Sequence, residues 1–314
     1  MSQSDTRKVG KSIPVRVLSP EVSVAARLVR IWKERELLFF MVGRDLTVKY
    51  KNSILGFAWS LLNPALTVII YDFVFQVALH NGMPDYAIYI MCGLVAWNFF
   101  FNSVLTACGS VVNNGGLIKK VSFSREILAL SSMGTAAVFW FFQMIILVLA
   151  LVIFHFTPQT PYLYVVPLAL LALVLLTGAL SIFFSAVNVY FRDMQHILEV
   201  LLMALFWASP VVYTWITVKK SLVHHHLTWI YLADPITPII LLMQRAFYGN
   251  PASGKATTPS IKVANLPTGT HYVADFSSIW YIKYFIAVIC VSVVLIILAL
   301  KLFGRLEGNF AEEL

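Results

Sequence analysis

The sequence predicts an all-α membrane protein with six transmembrane helices per chain, an N-terminal interfacial helix and a short re-entrant or interfacial external helix. Composition carries the first part of that prediction. Of 314 residues, 59% are hydrophobic and only 12% charged, with a mean hydropathy of +0.80, whereas soluble domains carry about 25% charged residues. The second observation is the recurrence of long apolar runs, each near the roughly 20 residues that cross a hydrocarbon core of about 30 Å. The third is the placement of positive charge. A formal net charge of +8 would suggest nucleic acid in a soluble protein. Here Lys and Arg crowd particular loops, so the charge reads as a membrane-topology signal and no nucleic-acid partner is expected.

Residues 1–22 are polar, contain Pro14 and Pro20, and read as a loose tail. Over residues 23–52, Leu28, Ile31 and Trp32 recur at helical spacing among Arg27, Arg30, Lys33 and Arg35. Such a helix either packs, solvated, on the rest of the protein or lies in the membrane interface. Direct continuity with the first span favours the interface. The chain divides into a cytoplasmic N-terminal tail and helix, 1–35, and a transmembrane domain, 36–314.

The spans are expected at about 54–79, 86–112, 128–156, 163–189, 196–217 and 281–303. Before the first, Arg44, Asp45, Lys49 and Lys51 stand among Leu46, Val48 and Tyr50, and from Ile54 to Leu79 the only charge is Asp72. The second, third and fourth have no Asp, Glu, Lys or Arg; the second includes Trp97, Phe99, Phe100 and Phe101. The fifth carries Glu199, and the sixth has Lys283 and Lys301 at its ends.

Basic residues concentrate in 1–53, at Lys119, Lys120 and Arg125, at Arg192 and at Arg305, while loops 80–85 and 157–162 have none. This places both termini in the cytoplasm. The 218–280 segment, with Lys219, Lys220, Arg245, Lys255 and Lys262, is long, and long loops obey the charge rule poorly. Within it, Asp234-Pro235-Ile236-Thr237-Pro238 opens a run from Ile239 to Tyr248 that Gly249 ends. Proline at a helix start and glycine past its end is the expected asymmetry. The run is too short to span, and is expected to be re-entrant or interfacial. Residues 250–270 read as a loop.

Several patterns carry no chemistry. Cys92, Cys108 and Cys290 all sit in apolar runs and read as small buried hydrophobes, not as disulfides or metal ligands. The first fifty residues lack a cleavable-signal pattern, so the first span is expected to act as an uncleaved insertion signal. Gly249 to Ala256 approaches a phosphate-binding loop, but Ala256 follows Lys255 where Ser or Thr would hold magnesium, and no strand precedes it. No cofactor is therefore expected on this chain. His224-His225-His226 lacks the spacing and neighbouring ligands of a metal site.

Charges inside spans are costly and face protein or water. Asp72 and Gln76 share a helix face, and Glu199, Met203, Phe206, Pro210 and Tyr213 are expected to share one face of the fifth segment. For Asp72 the functional reading is favoured; for Glu199, simple access to water at the helix end stands equally. The 14% aromatic content fits lipid-facing belts or a lane of rings that stack on sugars. The loop from Asn113 to Ser132 breaks at Gly115-Gly116, then mixes apolar Leu117, Ile118, Val121 and Phe123 with Lys119, Lys120, Arg125 and Glu126. A short amphipathic element of this kind suits docking on a partner; an ordinary interfacial loop is the alternative.

Arg44-Asp45-Leu46 through Lys49-Tyr50-Lys51, followed by Leu55-Gly56-Phe57-Ala58-Trp59 and Leu61-Leu62-Asn63-Pro64, resembles the opening of the permease subunits of bacterial polysaccharide-export ABC transporters of the ABC-2 type, which handle O-antigens, teichoic acids, capsules and galactan. The likeness continues in order. Leu117 to Glu126 is similar to that family's coupling element, with Ser124 where the family has proline. Asn188 to Asp193, Ser209-Pro210-Val211-Val212-Tyr213, and Gly304-Arg305-Leu306-Glu307 with Phe310-Ala311-Glu312-Glu313 resemble later family motifs, and Asp234 to Pro238 is similar to its Asn-Pro-x-x-Pro.

The resemblance implies a homodimer in the bacterial inner membrane that works with two copies of a separate ATPase. ATP and magnesium belong to that partner, and the chain itself is no enzyme. The substrate implied is a polyprenyl-diphosphate-linked glycan. Leu117, Ile118, Lys119, Lys120, Phe123, Arg125 and Glu126 would couple to the ATPase; Asp72, Gln76, Glu199, Met203, Phe206, Pro210 and Tyr213 would line the path. The alternative within transport is an ABC-2 drug or lipid exporter, which usually lacks the 36–52 segment. A membrane enzyme acting on lipid-linked sugars would need convergent acid and base groups, and the external segment offers only Asp234 and Asp275.

Overall fold

The computed structural model describes residues 23–51, 53, 56, 58–78, 80, 83, 85–156, 158, 160–215, 217–219, 228–249 and 273–313, with Ser60, Leu61, Gln76, Asn309, Ala311 and Glu312 by backbone alone. The tail 1–22, the histidines at 224–226 and most of the expected loop 250–270 and of the phosphate-loop look-alike lie outside them. Among the described residues, every regular element is a helix.

Helix α1, Val24–Lys33, starts where the Ser23 hydroxyl accepts the Ala26 N–H at 3.3 Å. It turns at Glu34 into α2, Arg35–Tyr50. Leu28, Trp32, Phe39 and Phe40 are exposed along this pair. Then come α3, Ala58–Asp72, extended by a π-helical turn Phe73–Ala78; α4, Tyr86–Asn113; the single turn α5, Gly115–Ile118; α6, Glu126–Ile153; α7, Thr160–Leu163; and α8, Val166–Tyr190. They are followed by α9, Met194–Ala208; α10, Thr228–Ala233; α11, Ile236–Met243, with a π-helical turn Gln244–Tyr248; α12, Ser278–Leu306; and α13, Phe310–Glu313.

Among the described residues, four stretches are long and apolar enough to cross a membrane: Tyr86–Asn113, Glu126–Ile153, Thr160–Tyr190 and Ser278–Leu306. The first and fifth segments, the other two of the six expected spans, are not among them. Their apolar helices are Leu62–Phe75 and Met194–Ala208. At 1.5 Å per residue, α9 reaches only about 22 Å. It stops because Ser209, before Pro210, is extended (φ −87, ψ 149), the conformation that proline imposes on its predecessor. In α3, Asn63, Pro64 and Asp72 interrupt the apolar run.

Helix α4 is the hub. It packs along α6 and α8, and α8 packs in turn along α12. Its residues Tyr86 to Phe100 form the heart of the main apolar core with Leu173, Leu176 and Phe285. Cys92 and Cys108 are buried on α4 as expected, but Cys290 on α12 is exposed, on a face that also bears exposed Ile286, Val291, Val294 and Leu298. Large exposed apolar faces of this kind mark lipid or partner contact.

The helical run expected over Ile239–Tyr248 starts three residues earlier, at Ile236, and all of α11 is buried between α4 and α8. The Asp234 carboxylate accepts the N–H groups of Ile236 (3.1 Å) and Thr237 (3.2 Å), so it neutralises the first orphan donors of α11. At the far end Gly249 takes φ +71, which costs a side-chain-bearing residue and not glycine.

Candidate functional site: a polar groove within the spanning helices

Between α2, α3, α4 and α6 lies an open groove of about 700 Å³. Three helices each contribute a polar stripe at the one-turn spacing that places side chains on a single face. On α4 the stripe is Asn98, Asn102, Thr106 and Ser110; on α3, Asn63 and Thr67 continue from Trp59; on α6 it is Ser132, Thr135, Phe139 and Gln143. Asn98 Nδ2 donates to Gln143 Oε1 at 3.2 Å, which ties α4 to α6 across the floor. Asn102 Nδ2 donates to the Asn98 carbonyl at 2.8 Å, and Thr106 Oγ1 to the Asn102 carbonyl at 2.6 Å. The amide oxygen of Asn102 and the hydroxyl oxygen of Thr106 keep acceptor capacity toward the groove. Aromatic walls come from Trp59, Phe99, Phe139 and Trp140, and the Trp140 indole N–H is buried without a partner among the described residues.

Of the described residues lining the groove, only Asp45 and Lys49 are charged, and both come from α2 at one mouth. Asp45 is held by Arg44 at 2.7 Å, and Arg44 also donates to Asn114 Oδ1 at 3.1 Å. The Lys49 ammonium lies 4.3 Å from the centroid of the Phe139 ring, and burial lowers its pKa. A partly desolvated cation thus guards one end of an uncharged polar channel.

The path residues expected from sequence fall elsewhere. Asp72 ends α3 at its junction with the start of α4, close enough to Asp85 and Tyr86 for its charge to act on both. The Gln76 side chain lies outside the described residues. Phe206 on α9 stacks on Tyr71 of α3, centroids 6.3 Å apart, and touches Trp97 at 5.4 Å, so the first and fifth segments do meet. Glu199 and Met203 are exposed. Pro210 and Tyr213 do not continue the α9 row, because α9 ends at Ala208. The Pro210 carbonyl instead accepts Gln244 Nε2 at 2.8 Å, and the Tyr213 hydroxyl donates to the Ala208 carbonyl at 2.7 Å.

The coupling residues separate into two sets. Lys119, Lys120, Val121 and Ser122 project into solvent, and Leu117 is half-buried. Ile118 and Phe123 are buried in a second apolar cluster with Leu300, Phe303 and Phe310. Arg125 and Glu126 turn inward. Arg27 of α1 bridges Glu126 (2.6 Å) and Glu307 (2.9 Å), Arg125 donates to the Glu307 carbonyl (2.6 Å), and Glu34 accepts the Ser124 N–H (2.8 Å). Burial opposes the Arg27 charge, but hydrogen bonds to Glu307 and Glu126 outweigh it and hold its pKa above the ordinary value. The loop is thereby clamped between the N-terminal helix and the C-terminal tail.

The groove does not stand out in the sequence, because its lining is uncharged and spread over three separate helices. The signal was present: amides and hydroxyls every fourth residue from Asn98 to Ser110.

Comparison with known proteins matches residues 36–248 to the family described as ABC-2 type transporter. The chain is 27% identical over 279 residues to the O-antigen export system permease protein RfbA of Klebsiella pneumoniae, covering 89% of this chain and 95% of that protein. It is 32% identical over 225 residues to the RfbA of Myxococcus xanthus, covering 71% and 84%. It is 24% identical over 209 residues to the polysialic acid transport protein KpsM of Escherichia coli, covering 65% and 78%.

Proposed function

The chain belongs to the ABC-2 type transporter family, and on that premise we propose that it is the permease subunit of an ATP-driven exporter that moves a polyprenyl-diphosphate-linked polysaccharide across the bacterial inner membrane. Its relatives are named as O-antigen and polysialic acid export proteins. The observation that carries the reading is the groove: a channel walled by amides, hydroxyls and aromatic rings inside apolar helices. Lipid tails have no use for such a wall, and sugar hydroxyls, each both donor and acceptor, match it.

In this reading two copies of the chain join two ATPase subunits, which bind ATP and magnesium. Six segments cross the membrane, α3 and α9 as the short ones, with both termini cytoplasmic. The α1–α2 pair lies in the interface, with Trp32, Phe39 and Phe40 toward lipid, and α11 is re-entrant. The Lys119–Ser122 tip docks on the ATPase. The path follows α3, from Trp59, Asn63 and Thr67 in its inner half toward Tyr71, Asp72 and Phe206 near its outer end.

Depletion of the chain tests the proposal. Lipid-linked glycan should accumulate on the cytoplasmic leaflet and disappear from the cell surface, and its return should require both the chain and the ATPase. Surface glycan at the normal rate without the chain would overturn the assignment.

A further inference from the structure

We propose that the groove is a sugar-binding site within a single protomer and that it accepts neutral, hydroxyl-rich pyranose chains while excluding polyanionic ones. This rests on the export reading above and narrows its substrate class.

The walls are the first reason. From Asn98 to Ser110 on α4, on α3 from Trp59 to Thr67, and on α6 from Ser132 to Gln143, the lining side chains are uncharged. A neutral sugar presents hydroxyls that donate and accept, and Asn, Gln, Ser and Thr side chains do the same. An acidic sugar repeat would bring one carboxylate per unit into a site between apolar helices. Beyond Lys49 at the mouth, each would lose hydration with no cation among the described lining residues to meet it, and the chain would be rejected for that reason.

The mouth is the second reason. Among the described residues, Lys49 is the single cation lining the groove, and its ammonium is already set over the Phe139 ring. One cation meets one anionic group, not a repeating series.

Unused binding capacity is the third. Asn102 and Thr106 line the groove and are exposed, with acceptor oxygens free to meet sugar hydroxyls. Trp59 and Phe139 offer ring faces on which the C–H faces of pyranoses lie. The stripe from Asn98 to Asn113 extends about 22 Å along α4 at 1.5 Å per residue, room for several sugar units in a row.

Protection from a water-soluble maleimide tests this in the full chain, embedded in lipid nanodiscs. The background is Cys92→Ala, Cys108→Ala, Cys290→Ala. Thr106→Cys reports from α4, Asn63→Cys from the facing wall, and Lys219→Cys serves as a control outside the groove. The probes are maltohexaose, a neutral hexasaccharide, and an oligogalacturonate of equal length. Maltohexaose at ten times its dissociation constant should slow labelling of Thr106→Cys and Asn63→Cys about tenfold, as expected for simple occupancy, and leave Lys219→Cys unchanged; oligogalacturonate should slow neither. Equal or better protection by oligogalacturonate would overturn the neutral class while leaving glycan export intact. Protection by neither probe at both positions would overturn the groove as a sugar site, and the depletion experiment would still judge export independently. As a second arm, Asn102→Lys should reverse the preference, with protection lost for maltohexaose and gained for oligogalacturonate; an unchanged preference would count against the charge argument.

Discussion

Replacing Arg27 by alanine should destabilise the protein far more than its place near the N-terminus suggests. The guanidinium is 14% exposed and bonds a Glu126 carboxylate that is 2% exposed, at 2.6 Å. Its second bond, to Glu307 at 2.9 Å, reaches a carboxylate that is 23% exposed and can rehydrate. Removing one partner of a buried pair costs about 3–5 kcal/mol, because the other charge is stranded. Since only Glu126 is stranded fully, the lower end applies, about 3 kcal/mol. At roughly 2 °C per kcal/mol for a chain of this size, the apparent Tm should fall by about 6 °C. Tryptophan fluorescence of the full chain in nanodiscs, heated at a fixed rate, measures this.

A double-mutant cycle isolates the pair. In a Glu126→Gln background the stranded charge no longer exists, so Arg27→Ala should cost only about 1 kcal/mol, the value of an ordinary hydrogen bond. Gly304→Ala is an independent probe, because a Cβ there would sit 2.7 Å from Arg27 Nη2 and displace the guanidinium. It should destabilise the wild type and be close to neutral once Arg27 is gone. An Arg27→Ala variant within about 1 °C of wild type, or a loss of the same size with and without Glu126, would refute the reasoning.

Two further outcomes follow from the site. Lys119→Glu with Lys120→Glu should reduce recovery of the ATPase complex and leave the Tm within about 1 °C, since both side chains are solvated; adding Arg125→Glu should lower the Tm as well, because Arg125 holds the Glu307 carbonyl and lies over the Phe310 ring, and unchanged complex recovery in the double variant would move the docking surface elsewhere. Asp72→Asn, which keeps the size and polarity of the side chain where α3 meets the start of α4, should retain folding and export; a full loss of export in Asp72→Asn with normal folding would show that the charge itself acts on substrate.

The membrane class, the positions of the four long spans and the family were all legible in the sequence, because hydropathy and one-turn periodicity are local properties. The run from Asp234 to Gly249 was read as a helix for the same reason: its ends carry their own capping chemistry. The fifth segment was read too long. Composition counts apolar residues, whereas Pro210 stops α9 by denying its predecessor helical geometry.

The site was decided by tertiary structure. Asp72 stands out in the sequence as a charge in an apolar run, but only the packing of α3 against the start of α4 sets it beside Asp85 and Tyr86. Arg125 and Lys120 look equivalent in the chain, yet one is held by the tail and the other faces water. The stripes on α3, α4 and α6 are each written in the sequence at four-residue spacing. Their convergence into one groove is not, because the spacing sets which residues share a face, and only the arrangement of the helices sets which faces meet.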